Sequence, residues 1–245
     1  MLALSLALGL LAGCGSGGET PTLDADARLR LARAAEDSGN RDLARTMYAE
    51  AAAAAKSDNV LQLRCAEGLA RNGALPEAAA LLSARLKSDP HEPELQGTLG
   101  AIQVLSGQPA QALQNLSQVV AAKPNDVKAM VNEAVALDLE HRHAEAQGLY
   151  RQALAAMPDD PVISNDLALS LLLSGHVDEA RRVLLPFADT PDLPERIRIN
   201  LGILQAAEGN TAEAQRLLGT KVDAAQLALL TQAIAAGATT GGGVR

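Results

Sequence analysis

The sequence predicts an all-α fold, a right-handed solenoid of about six helix–turn–helix units closed by a C-terminal capping helix. Two observations predict it. The 245 residues include one Phe, two Tyr and no Trp, so the core must consist of Ala, Leu, Val and Ile, which favours closely packed helices over sheets. A set of residues also recurs every 34 positions, and a fixed period of this length is typical of repeat architectures.

The period is clearest at small residues. Two antiparallel helices approach closely where side chains are small, and a left-handed glycine between them ends the first helix. The eighth positions of the units are Ala32, Ala66, Gly100, Ala134, Ala168 and Gly202, and the twentieth are Ala44, Ala78, Ala112, Ala146, Ala180 and Ala214. The residues at the fifteenth position are Gly39, Gly73, Gly107, His141, Gly175 and Gly209. The twenty-fourth position holds a large residue in every unit: Tyr48, Leu82, Leu116, Tyr150, Leu184 and Leu218.

These positions divide the chain into six units: 25–58, 59–92, 93–126, 127–160, 161–194 and 195–228. The pattern, with Pro90, Pro124 and Pro158 in the same register, resembles the tetratricopeptide repeat. The resemblance implies that the first helices of the units line a concave groove, which positions 2, 5, 9 and 12 of each unit face.

In units four to six these groove positions are largely apolar, and the candidate protein-binding residues are Val131, Val135, Asn165, Leu169, Leu172, Ile199 and Ile203. They predict docking of a partner helix or an extended apolar peptide. The alternative is that they pack against each other or against the final helix. Repeats that clamp a peptide carboxylate carry Lys and Asn in their first units, whereas Arg33 and Glu67 stand here, so that role is not expected.

The amphipathic segment 223–236 places Leu227, Leu230 and Ile234 on one face. Such a segment is predicted to cap the open end of the solenoid, since terminal repeats need a polar outer face. A partner-binding helix is the alternative. Residues 237–245 are predicted to form a disordered tail.

The first twelve residues are apolar and uncharged, and they are too few to cross a bilayer, which takes about 20 residues. The stretch Leu11-Ala12-Gly13-Cys14 resembles a bacterial lipobox. This resemblance implies a signal peptide over 1–13 that is removed, a lipidated Cys14, and a flexible tether over 14–24. Gly15, where inner-membrane lipoproteins have Asp, implies the periplasmic face of the outer membrane. An ordinary secretory signal with a coincidental cysteine is the alternative.

Several function classes are not expected. A net charge of −8 argues against nucleic-acid binding. His141 and His143 are predicted to be solvated turn residues without a third metal ligand, and Cys65 to be a core residue. The sequence shows no nucleophile paired with a general base and no phosphate-binding loop. It therefore predicts that the protein is not an enzyme and has no cofactor, no metal and no small-molecule substrate.

A finer resemblance lies between Asn132 and Leu218. The segments ALDLEHRHAEAQGLYRQALAAMPDDP, NDLALSLLLSGHVDEARRVLLPFAD and RIRINLGILQAAEGNTAEAQRLL are similar to the TadD-type lipoproteins of tight-adherence (Flp, type IVc) pilus assembly. Glu133-Ala134 and His141 depart from the usual Leu-Gly and Gly. The resemblance implies an outer-membrane-anchored, pilotin-like scaffold whose partner is a secretin or another pilus-assembly component. A type IVa pilus pilotin and an adaptor that recruits cell-wall hydrolases are the alternatives.

Overall fold

A computed structural model of the chain describes residues 23–188 and 194–219, together with residues 223, 225, 226, 228, 229 and 232. This part of the chain forms twelve α-helices and one short 3₁₀ turn, Leu185–Phe187, and contains no strand. The helices are α1 (Ala25–Asp37), α2 (Arg41–Ala55), α3 (Asn59–Arg71), α4 (Leu75–Leu86), α5 (Pro93–Leu105), α6 (Pro109–Ala122), α7 (Val127–Leu139), α8 (His143–Ala156), α9 (Pro161–Leu173), α10 (Val177–Leu184), α11 (Glu195–Ala207) and α12 (Thr211–Leu218). Within these residues no helix has the length and apolar character needed to cross a bilayer.

The helices stack as a solenoid. Every odd-numbered helix begins 34 residues after the previous one, and each helix packs against the next along the chain. Consecutive odd-numbered helices also contact each other, as α5 does with both α3 and α7. The predicted all-α repeat solenoid is therefore confirmed.

Small residues form the contacts between the helices of each unit. All six alanines at the twentieth position are completely buried. At the eighth position, a Cβ on Gly100 would lie 2.5 Å from Cγ of Leu116, and one on Gly202 would lie 2.6 Å from Cγ of Leu218. The glycines therefore leave space for the large residue at the twenty-fourth position, as the repeat pattern predicts.

The turn between the two helices of a unit uses a left-handed residue. The glycines at the fifteenth position have φ between 67° and 84°, and His141 takes the same conformation in unit four, with φ of 59°. A non-glycine residue in this region costs about 1–2 kcal/mol. Unit four therefore tolerates a strained turn where the other units have none.

Replacing His141 with glycine is expected to raise the free energy of unfolding by about 1 kcal/mol, because the strain in the turn disappears. Urea unfolding of the full chain measures the change. Gly175→Ala, at the same position of unit five, is the matched control and should shift stability by a similar amount in the opposite direction. A destabilised His141→Gly variant would show that the imidazole makes a compensating interaction.

Four predicted segments lie wholly or mostly outside the described residues. They are the signal peptide over 1–13, the tether over 14–24 with the lipidated Cys14, the apolar face of the capping helix formed by Leu227, Leu230 and Ile234, and the tail over 237–245. The described residues of the segment 223–236 are exposed, including Leu229 at 66%. The cap and the lipid anchor therefore stay predictions.

Candidate protein-binding groove

An apolar groove lies between α7 and α9 on the exposed side of the odd-numbered helices. It contains about 500 Å³ of space, part of which is open to solvent. We call it the leucine groove and define it by its lining residues: Val135, Asp138, Leu139, Tyr150, Asp166, Leu169 and Leu173. Leu139, Leu169 and Leu173 are 49%, 37% and 56% exposed, and exposed apolar side chains that cluster in this way mark interaction sites.

The exposed leucines continue along the solenoid. Leu105, Leu139 and Leu173 occupy the thirteenth position of three consecutive units, and Leu105 is 68% exposed. Position 13 is not one of the predicted groove positions, which are 2, 5, 9 and 12. The spacing of 34 residues between these leucines was the feature of the sequence that could have identified them as part of the groove.

The structure brings two of the predicted binding residues together. Val135 and Leu169 line the leucine groove from its two helices. Val131 and Ile203 are half-buried and pack against the main core of units four to six. Ile199 is half-buried against a separate small cluster at α12.

The prediction that Asn165 and Leu172 face a partner needs correction. They are 2% and 4% exposed, and Asn165 accepts a hydrogen bond of 2.9 Å from Asn200 Nδ2 on α11. The reason is that α9 is contacted by α7, α8, α10 and α11, which together cover these two positions. Both residues therefore stabilise the stacking of the units.

Asp138 is the centre of a polar cluster beneath the groove. Its Oδ1 accepts a hydrogen bond of 2.6 Å from Ser170 Oγ and lies 2.8 Å from His143 Nδ1. The side chain of His143 is only 18% exposed, so the prediction of a solvated turn residue is wrong for His143. The cause is that His143 is the first residue of α8 and contacts the carboxylate at the end of α7. His141 is exposed, as predicted.

The cluster does not have the arrangement of a nucleophilic site. In such a site a base contacts the nucleophile and is itself oriented by a third group. Here Ser170 and His143 both contact Asp138, so the carboxylate stands between the serine and the imidazole. Among the described residues, no group of three or more His, Cys, Asp or Glu side chains could hold a metal ion. Cys65 is completely buried, and burial raises the pKa of its thiol to about 11.

A family model supports the repeat assignment, and two curated relatives match parts of the chain. A tetratricopeptide-repeat family model matches residues 69–137 and 139–195, which together make up just over half of the chain. The chain is 36% identical over 94 residues to the uncharacterized protein y4yS of Sinorhizobium fredii, covering 38% of this chain and 52% of y4yS. It is 29% identical over 229 residues to protein FlbA of Caulobacter vibrioides, covering 83% of this chain and 38% of FlbA. The chain thus spans about half or less of the length of these relatives.

Two solved structures have the same fold. A tetratricopeptide repeat protein from Parabacteroides merdae superposes with a TM-score of 0.69 at 13% identity, covering 88% of this chain and 86% of its own. PilW, described as a widely conserved type IV pilus biogenesis factor, has a TM-score of 0.69 at 17% identity, covering 84% of this chain and 98% of its own. At these identities the likeness shows the fold alone. The repeat register, the stacked helix pairs and the family match together show that this chain belongs to the tetratricopeptide repeat family.

Proposed function

We propose that this protein is a lipid-anchored scaffold of the bacterial envelope that binds a segment of a pilus-assembly protein in the leucine groove. Tetratricopeptide-repeat proteins are scaffolds for protein–protein interaction, and their stacked units present extended binding surfaces. The observation that carries the proposal is the set of exposed leucines at the same position of consecutive units. Leucines left in water at a groove provide a driving force for binding, because burying one fully contributes about 1.5–3 kcal/mol.

The groove suits a segment with regularly spaced apolar side chains. Leu139 and Leu173 lie on neighbouring helices, and Val135 and Leu169 complete the apolar walls. An amphipathic helix or an extended peptide can place several side chains between them. Binding energy would then concentrate in these few anchors.

The membrane location and the pilus role rest on sequence. Leu11-Ala12-Gly13-Cys14 supports lipidation of Cys14, and the residue after it supports anchoring at the periplasmic face of the outer membrane. The resemblance to TadD-type lipoproteins supports a role in assembling a Tad (Flp) secretion system, with a secretin or another pilus component as the partner. The fold shared with the pilus biogenesis factor PilW is compatible with this role.

Changing Leu139 and Leu173 together to glutamate is expected to abolish capture of the partner. The two charges would prevent burial of the partner's apolar side chains and would add to the carboxylates of Asp138 and Asp166. In the native cell, crosslinking of the full chain to the secretin subunit should fall at least about ten-fold. Because both leucines are exposed, urea unfolding should change little.

The matched control is Leu43→Glu. Leu43 lies on α2 and is 47% exposed, so the same substitution there tests for a general effect of a surface glutamate. It should leave crosslinking intact. If the groove variant still captures the secretin subunit at the wild-type level, the leucine groove is not the binding surface.

Cys14→Ser is expected to move the protein from the membrane fraction to the soluble periplasmic fraction, because serine has no thiol to accept the lipid. One acyl chain binds only marginally, whereas a multiply acylated cysteine anchors stably. Cell fractionation with labelled palmitate measures both location and lipidation. Cys65→Ala is the control and should remain membrane-bound, since Cys65 is buried in the repeat core. Retention of the Cys14→Ser variant in the membrane would contradict the anchor.

Gene deletion separates this proposal from its alternatives. Loss of secretin multimers and of surface Flp pili is the expected result. Normal piliation with altered cell shape or autolysis would instead favour an adaptor for cell-wall hydrolases. Loss of type IVa pili with intact Flp pili would favour a type IVa pilotin.

A further inference from the structure

The leucine groove contains two carboxylates, Asp138 and Asp166, and in the part of the chain that the structure describes no basic side chain lines it. Apolar walls with fixed negative charges restrict what can bind, because a partner group placed beside the carboxylates must compensate them. The two aspartates differ in how far groups of the protein itself compensate their charge.

The charge of Asp138 is largely compensated by neighbouring groups of the protein. It receives the hydrogen bond of Ser170 and contacts His143, and its side chain is only 14% exposed. Its interactions join α7, α8 and α9. Asp138 therefore has a structural explanation that needs no partner.

Asp166 has no comparable compensation. Its hydrogen bond comes from the neighbouring Asn165 Nδ2 at 3.2 Å, and within the described residues no Lys, Arg or His nitrogen lies within 4.0 Å of its carboxylate. Burial raises the pKa of Asp166 above its usual range, and the hydrogen bond from Asn165 and the attraction of Arg196 oppose this only in part. The same position of the other units holds Arg30, Arg64, Thr98, Asn132 and Asn200, so a carboxylate here is particular to unit five.

The negative charge extends along the same side of the solenoid. A second groove of about 540 Å³ between α3, α5 and α7 is lined by three carboxylates, Glu67, Glu94 and Asp126, and by one basic residue, Lys128. A segment that runs from the leucine groove into this second groove meets more carboxylates than basic groups, although Glu94 is already paired with Lys123. Complementary charge in the partner would guide its approach and fix its register.

We propose that the leucine groove selects a partner segment in which a lysine or arginine is flanked by apolar side chains. The basic group pairs with Asp166, and the apolar neighbours lie between Leu139, Leu169 and Leu173. This inference rests on the proposed function, since it names the chemistry of the segment that occupies the groove. It adds a charge requirement that an apolar groove alone would not impose.

A displayed library of short random peptides tests the inference with the full chain as bait. Peptides retained by the wild type and lost on the Leu139→Glu, Leu173→Glu variant should be enriched in Lys or Arg between apolar residues. A synthesised representative should bind Asp166→Asn at least about ten-fold more weakly than the wild type. Asp159→Asn, which removes an exposed carboxylate outside the groove, should bind it as the wild type does.

A matched peptide with glutamine in place of the basic residue completes the test. It should bind wild type and Asp166→Asn equally, because the pair with Asp166 is then absent in both. Groove-dependent peptides without basic residues would overturn the charge requirement and leave the proposed groove intact. Failure to select any groove-dependent peptide would overturn the inference, while crosslinking to the secretin subunit would still test the proposed function separately. A dimer that the leucine variant separates would identify a second copy as the occupant and overturn the inference.

Discussion

Tyr150→Ala is expected to lower the free energy of unfolding by about 3–5 kcal/mol. The side chain of Tyr150 is 1% exposed and belongs to the core that joins units four to six. Its loss leaves a cavity in this core, where small residues such as Ala134 and Ala146 cannot extend into the space. The helices cannot collapse into it either, because each is also packed against the next unit. Urea unfolding of the full chain measures the loss.

Two further substitutions separate the contribution of the Tyr150 ring to stability from that of its hydroxyl. Burial, reinforced by Asp138, raises the pKa of the Tyr150 hydroxyl above its ordinary range. Tyr150→Phe keeps the ring and should cost no more than about 3 kcal/mol, the upper value for a hydrogen bond to a charged group, which here is the carboxylate of Asp138. Tyr150→Leu supplies the residue found at this position in four other units and should retain most of the stability. Equal stability of the alanine and leucine variants would show that loss of the ring leaves no cavity.

The repeat pattern predicted the interior of the solenoid well. Alanine at the twentieth position and the large residue at the twenty-fourth are buried in all six units, as with Ala112 and Leu116. The two helices of each unit pack through the same positions. A register that repeats in six units therefore strengthens the assignment of each position as buried. The left-handed turn could be predicted for the same reason, including its place at His141.

The binding surface was harder to predict, because exposure depends on the neighbouring units. Position 12 holds buried Leu172 in unit five but Asp138 in unit four, where the side chain contacts Ser170 of the next unit. Asn165 is covered through its contact with Asn200, 35 residues later. A position within the repeat indicates which side of a helix a residue is on. It does not indicate what the next helix places there.

Tyrosine at the twenty-fourth position brings a second constraint, which is clearest at Tyr48 in unit one. The ring is completely buried, and its hydroxyl donates a hydrogen bond of 2.5 Å to Glu36 Oε2. Arg71 Nε donates to the other oxygen of Glu36 at 2.9 Å. Burial and Glu36 together raise the pKa of Tyr48 to about 12. Held at its hydroxyl, the ring cannot move aside, and Gly68 of α3 packs against it.

Gly68→Ala is therefore expected to destabilise the protein by about 2 kcal/mol, although alanine is the better helix former. The added Cβ would lie 2.3 Å from two atoms of the Tyr48 ring. The same change at Gly97 in α5 is the matched control, because its Cβ would come no closer than 3.9 Å to Val119, and it should stabilise by up to about 1 kcal/mol. In a Tyr48→Leu background the cost of Gly68→Ala should largely vanish, which the coupling energy from urea unfolding of the four variants measures. Additive effects of the two substitutions would show that the ring is not what requires glycine at position 68.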